Sequence, residues 1–139
     1  MTNNHADFQR GVLSGSVIYI VDDDAPVLES LEVVLTLAGA KVHTSLSARD
    51  FAEQLFDEPN AVLILDVHLH DGNGVELLAM LRAKGIRHPA IVMSGRLELV
   101  KTPPGDLLDP IIWLEKPIDG DELADLIAGM TSGRDLPLP

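Results

Sequence analysis

Four short stretches hold the residues whose types could do chemistry. Val21 to Asp24 reads VDDD, Leu63 to Asp66 reads LILD, Ser94-Gly95 follows PAIVM, and Lys116-Pro117 follows IIWLE. Each closes an apolar run. Clustered carboxylates cannot all ionise cheaply without a counter-charge. A hard divalent cation supplies one, and Mg²⁺ prefers one or two carboxylates together with waters and phosphate oxygens. Carboxylates form acyl-phosphates, so Asp66 beside such a cation is a competent nucleophile toward phosphorus. Lys116 can neutralise one phosphoryl oxygen and Ser94 can donate a hydrogen bond to another. Each residue also has a plainer reading. The acidic triplet suits a solvated loop with a helix N-cap, Asp66 a turn residue, and Lys116 surface charge. The chemistry needs all of them at one edge of one structure.

The intervening pattern predicts that edge. SVIYIV (16–21) and AVLILD (61–66) read as buried strands, and PAIVMS (89–94) and IIWLEK (111–116) as two more. Lys41 to Thr44 is a short strand. Pro26 suits a first helical turn, and Leu28, Leu31, Leu35 and Ala38 make one apolar helical face, ended by Gly39. Ser47 is an N-cap for a helix through Phe51, Leu55 and Phe56, stopped at Pro59. DGNG (71–74) is a turn. Val75, Leu77, Leu78 and Leu81 mark a third helix, closed by Gly85. Asp119 with Glu122 forms a capping-box pattern for a last helix, 119–130. Apolar strands alternating with helices predict an α/β fold, a five-stranded, doubly wound parallel sheet covered on both faces. In such sheets the site lies at the carboxyl ends of the strands, where strand order reverses.

The chain has 139 residues, one domain's worth. Residues 1–15 read as a flexible N-terminal arm, 16–130 as the folded domain, and 131–139 as a C-terminal tail. The absence of cysteine excludes disulfides and thiolate metal sites. Ten basic against 22 acidic residues give a net charge of −12, which repels phosphate backbones, so no direct DNA or RNA binding is expected. No apolar run approaches the roughly 18 residues of a membrane span, and no signal-peptide pattern opens the chain. The expected location is the cytoplasm.

The set VDDD, LILD, SG and KP, with 43 positions from Asp23 to Asp66, 28 from there to Ser94 and 22 on to Lys116, resembles the receiver domain of two-component response regulators. The resemblance covers about residues 16–130. It implies a flavodoxin-like receiver fold in which Asp66 accepts a phosphoryl group from the phosphohistidine of a histidine kinase or a histidine phosphotransfer protein. It also implies that Asp22, Asp23, Asp66 and the backbone carbonyl of His68 hold Mg²⁺, that Lys116 pairs with the phosphoryl group or with Asp66, and that Ser94 turns toward the phosphoryl oxygen. Gly74 matches the glycine that closes the loop after the acceptor, and Pro117 the proline that follows a cis bond. Trp113 stands where the family carries its switch aromatic; an indole in an apolar strand reads sooner as core packing than as a switch, because it turns with difficulty in a close-packed site.

Three places depart from the family. His70 stands where proline is common. His68 and Arg96 occupy positions that tune the lifetime of the phosphoryl group. Residues 95–110, GRLELVKTPPGDLLDP, stand where a fourth helix belongs, and their prolines and glycine forbid a regular one. The expectation is a degenerate fourth helix and an altered output surface. The function that follows is a single-domain response regulator that signals by conformational change to a protein partner, catalysing only its own phosphoryl transfer and autodephosphorylation. A phospho-independent adaptor is the alternative. An aspartyl-nucleophile phosphohydrolase is a further one, weakened because such enzymes carry a second Asp where His68 stands.

Overall fold

The computed structural model describes residues 11–135, apart from Leu55. In chain order the elements are β1 (Val17–Val21), α1 (Ala25–Leu37), β2 (Lys41–Ser45), α2 (Ala48–Ala52), β3 (Ala61–Asp66), β4 (His68–Leu69), β5 (Gly72–Asn73), α3 (Gly74–Ala83), β6 (Ala90–Ser94), β7 (Ile111–Glu115) and α4 (Gly120–Asp135). Five strands pair in parallel in the order β2-β1-β3-β6-β7, while β4 and β5 form a small antiparallel ribbon. The order turns back at β1, which lies between β2 and β3. The crevice between the carboxyl ends of β1 and β3 is therefore the place where this architecture puts a site.

Strand alternation divides the core in two. Val17, Tyr19, Val21, Leu63, Leu65 and Val92 point to one face, where Phe51 of α2 and Val75, Leu78 and Leu81 of α3 cover them. Ile18, Ile20, Val62, Ile64, Ile91 and Met93 point to the other, under Leu28, Leu31 and Leu35 of α1 and Leu123 and Ile127 of α4. Both faces are buried, which is why these strands read as unbroken apolar runs. Among the described residues no helix is long and apolar enough to cross a membrane.

The helices begin where their caps lie. Asp24 caps α1 by accepting from the Val27 N–H at 3.3 Å, Ser47 caps α2 through the Asp50 N–H, and Asn73 caps α3 through Val75 and Glu76. Three ends differ from expectation. First, α2 stops at Ala52, four residues before Phe56. The chain beyond is held by side chains instead: Gln54 donates to Ser45 Oγ at 2.8 Å, the Phe56 ring packs on Tyr19 and Phe51, and Glu58 pairs with His43 and Lys41. Second, α4 runs on through residues 131–135 of the expected tail. Third, residues 11–15 of the expected arm pack on the domain. Leu13 is fully buried, its N–H bonds the Ala38 carbonyl at 2.8 Å, and Gly39, at φ +107°, lies so near Gly11 that a side chain would crowd it. Residues 1–10 and 136–139 of those expectations lie outside the described residues.

Residues 95–110 contain one 3₁₀ turn, Leu97–Leu99, and no α-helix. Their return to the sheet is organised by Arg82, a residue that the sequence pattern did not single out. Arg82 is buried on the sheet-facing side of α3. Its Nε donates to the Leu108 carbonyl at 3.0 Å, one terminal nitrogen to the Ile86 and His88 carbonyls at 2.9 and 2.7 Å, and the other to the Pro110 carbonyl at 2.9 Å. One guanidinium thus joins the entry to β6 with the entry to β7, replacing the carbonyl partners that a helix would have supplied internally. Burial lowers its pKa from the ordinary arginine value, the cost of desolvating the cation. Truncating it takes the donor from the Leu108, Ile86 and His88 carbonyls, while the Pro110 carbonyl keeps the Ala90 N–H. Arg82→Met is expected to lower the unfolding free energy by about 3 kcal/mol or more, read from urea denaturation; a loss below about 0.5 kcal/mol would show that the clamp is dispensable.

Candidate functional site

The carboxyl ends of β1, β3, β6 and β7 bring together the residues singled out in the sequence. Asp22 follows β1 and is fully buried, Asp66 ends β3 and is 5% exposed, and Ser94 ends β6, fully buried. Lys116 follows β7 and reaches between the two acids, with Nζ 2.9 Å from Asp22 Oδ2 and 3.1 Å from Asp66 Oδ2. The parallel register makes this possible: Val21 pairs with Leu65, Asp66 with Met93 and Ser94 with Glu115. Residues 50 and 94 positions apart in the chain therefore meet at one edge. The Lys116–Pro117 bond is cis, and the Lys116 N–H donates to the Ser94 carbonyl at 2.7 Å.

The other oxygens of the two acids are held by backbone. Asp22 Oδ1 accepts from the Asp24 N–H at 2.9 Å, and Asp66 Oδ1 from the His68 N–H at 3.3 Å. Burial pushes the Asp66 carboxyl above its ordinary range; the Lys116 hydrogen bond opposes this and the Asp22 charge adds to it. Burial pulls the Lys116 ammonium down, but the hydrogen bonds to Asp22 and Asp66 outweigh it and leave its pKa raised. Lys116 is therefore a cation at neutral pH.

Asp23 completes the acidic group, with one carboxylate oxygen of each of Asp22, Asp23 and Asp66 lying within 4.8 Å of the others. Three carboxylates face a single ammonium. This oxygen-only donor set with surplus negative charge fits a hard divalent cation such as Mg²⁺. Ser94 Oγ accepts from the Arg96 N–H at 3.1 Å, and a hydroxyl that accepts in this way retains its own proton to donate. The Arg96 side chain is paired with Glu98 at 3.1 Å and is exposed. Trp113 is half-buried, level with Val92 and packed on the α3-side core. His68 is exposed two positions after Asp66, and His70 Nδ1 lies 3.7 Å from Asp23 Oδ2.

The loop after Asp66 is pinned at three points. The Gly74 N–H donates to the Val67 carbonyl, and a methyl at Gly74 would collide with the Asp66 carbonyl oxygen. Asn73 caps α3. Asp71 reaches across to α2, where its two oxygens accept from the Ala48 and Arg49 N–H groups at 2.8 and 3.0 Å. These bonds hold its carboxyl below the ordinary range. The sequence marked DGNG only as a turn. Asp71 carries no local signal because its partners lie 22 and 23 positions away.

Three outcomes follow from this geometry. Gly74→Ala is expected to displace the Asp66 loop and lower stability by about 1–3 kcal/mol in urea denaturation while far-ultraviolet circular dichroism stays native-like. Lys116→Met leaves two buried carboxylates without their cation and should cost about 3–5 kcal/mol in metal-free urea denaturation, part of which millimolar Mg²⁺ restores. The raised Asp66 pKa means that the folded state binds that proton more tightly than the unfolded chain. Its contribution favours folding at acid pH and is withdrawn as pH rises above the ordinary 3.8 through the folded value. Asp66→Asn should remove that decline from the stability–pH curve, and an unchanged curve would refute it.

Comparison with known proteins matches this arrangement. Residues 18–128 match the response regulator receiver domain family. FixJ of Rhizobium meliloti, a transcriptional regulatory protein, is 33% identical over 79% of this chain and 54% of its own length. The response regulator TodT of Pseudomonas putida is 30% identical over 81% of this chain and 49% of its own. The crystal structure of FixJ-N superposes with a TM-score of 0.66 at 30% identity, covering 89% of this chain and 98% of that one. A CheY-like receiver from Methanospirillum hungatei superposes at 0.72 and, at 20% identity, shows the fold alone; it covers 86% of this chain and 96% of its own. The chain spans about half the length of the curated relatives it matches. Those relatives overturn the expectation of no direct DNA binding, since FixJ and TdiR of Thauera aromatica are transcriptional regulatory proteins by name. Charge repulsion decays within about 10 Å in salt, so the acidity of one domain does not govern what a regulator containing such a domain contacts. By the match over most of its length and by the residues at its strand ends, the chain belongs to the response regulator receiver domain family.

Proposed function

We propose that this receiver takes a phosphoryl group on Asp66 from a phosphohistidine donor, a histidine kinase or a phosphotransfer protein, in a two-component phosphorelay. The observation that carries the reading is the Lys116 ammonium bridging Asp22 and Asp66, with the Ser94 hydroxyl at the adjoining strand end. A carboxylate oxygen of Asp66 attacks phosphorus, the P–N bond breaks, and its electron pair stays on the donor imidazole, which takes up a proton. The product is an acyl phosphate. Asp22, Asp23, Asp66 and the His68 carbonyl would hold Mg²⁺, which when bound supplies the positive charge that lets a phosphoryl oxygen approach the carboxylates.

The residues of this chain do the rest. Lys116 is within reach of a phosphoryl oxygen on Asp66, and pairing with it would relax its hold on Asp22. Ser94, already fixed by the Arg96 N–H, donates its proton to another phosphoryl oxygen. The modification adds about −1.5 to −2 charge and three acceptors, which draws β6 and β7 toward Asp66 and shifts the population of the segment between them. The chain's own chemistry is confined to phosphoryl acceptance and autodephosphorylation. The output is conformational, and relatives that are transcriptional regulators by name support an effect on gene expression.

Incubation with acetyl phosphate and Mg²⁺, followed by intact-mass measurement, should add one phosphoryl group of about 80 Da to the wild type and none to Asp66→Asn. Asp23→Asn and Lys116→Met should slow the gain by about 10²-fold or more. A wild type that never gains the mass would refute the reading in favour of a phospho-independent adaptor. Steady turnover of a generic phosphoester would point to a phosphohydrolase.

A further inference from the structure

We infer that His70 is a nitrogen donor built into the mouth of the acidic site, and that it biases the site toward divalent transition metals that accept imidazole, such as Ni²⁺, over Mg²⁺. The inference rests on the reading of Asp22, Asp23 and Asp66 as a cation site and adds what this chain does to that site's selectivity.

The placement of His70 is not that of a loose surface histidine. It begins the two-residue connection His70-Asp71 of the β4–β5 ribbon, in which Leu69 pairs with Gly72. Leu69 on one side is buried. Asp71 on the other is tied to the Ala48 and Arg49 N–H groups. The backbone of His70 is thus anchored at both neighbours by contacts unrelated to the acids, and its ring lies beside Asp23, at the edge of the three-carboxylate group. Its side chain is 86% exposed and so is free to turn, and its Nδ1 is 3.7 Å from Asp23 Oδ2. Neighbouring corners of an octahedron with bonds of about 2.1 Å lie about 3 Å apart, so a small rotation of the ring brings oxygen and nitrogen to the spacing of adjacent ligands. Lys116 pairs with Asp22 and Asp66. Among the described residues, the basic nitrogen within ion-pair distance of Asp23 is that of His70.

The metal preference follows from donor type. Mg²⁺ takes oxygen and retains its waters, so an imidazole at the rim adds nothing to its binding. Ni²⁺ accepts imidazole readily and binds any such site more tightly than the early divalent ions. Absolute preference for Ni²⁺ is therefore uninformative, and the diagnostic quantity is the part of it that disappears with the ring.

The experiment is calorimetric titration of the full chain with Ni²⁺ and, separately, with Mg²⁺ at one pH, for wild type, His70→Ala and His68→Ala. His70→Ala should weaken Ni²⁺ about tenfold or more while Mg²⁺ stays within about twofold. His68→Ala should leave the ratio of the two affinities unchanged, and Mg²⁺ should displace Ni²⁺ from the wild type. If Mg²⁺ binds but His70→Ala weakens both ions equally, weakens neither or tightens both, the donor role is overturned while the cation site stands; tightening would make His70 a counter-charge to Asp23. Loss of the preference in His68→Ala instead assigns the nitrogen to the wrong residue and also overturns it. A wild type that binds neither ion overturns the cation site itself.

Discussion

Two carboxylates buried at the ends of neighbouring strands share one ammonium, and the upper edge of the sheet is organised around that imbalance. Asp22 and Asp66 are almost wholly withdrawn from water, an arrangement that costs several kcal/mol per ion unless charge and hydrogen bonds compensate. Lys116 supplies one positive charge to both, and backbone N–H groups of Asp24 and His68 take the remaining lone pairs. With Asp23 alongside, the group is still short of positive charge. That deficit is what suits the pocket to a divalent ion.

The lower edge is held by the converse arrangement, a buried cation with neutral partners. Arg82 carries no carboxylate within ion-pair distance among the described residues; it satisfies four main-chain carbonyls from the entries to β6 and β7. Those two strands deliver Ser94 and Lys116 to the site. With only a 3₁₀ turn between them, the connection has few internal hydrogen bonds of its own, and a rigid five-donor fork suits the task better than a lysine would. The clamp lets residues 95–110 depart from helical form while β7 keeps its register.

A third set of contacts fixes the loop after Asp66. Gly74 is required because its α-carbon lies against the Asp66 carbonyl, Asn73 starts α3, and Asp71 ties the loop to the start of α2. The short α2 is therefore tied to the loop after Asp66 by hydrogen bonds from its first backbone N–H groups to the Asp71 carboxylate, and not through apolar packing alone.

Much of this was legible in the residues alone. The apolar runs ending in acids gave the strands, their alternation with helical periods gave the parallel sheet, and the ordered set Asp22, Asp23, Asp66, Ser94 and Lys116 marked the edge where they meet. These are local signals, set by period and composition within a few residues. The end of α2, the packing of Leu13, the reach of Asp71 and the role of Arg82 were not legible, because each depends on a partner brought close only by folding. Arg82 falls four positions after Leu78 on an apolar helical face, a signal that a buried cation leaves, yet the carbonyls that justify it come from a segment with no regular pattern. Net charge misled for a related reason: it is a sum over the chain, whereas binding is governed by the charges within a screening length of a surface. The sequence by itself determined which chemical groups the domain owns and the order of the elements that carry them. Only the tertiary structure decided which of those groups share a low-dielectric pocket, since electrostatic and hydrogen-bond energies depend on distance in space and not on separation along the chain.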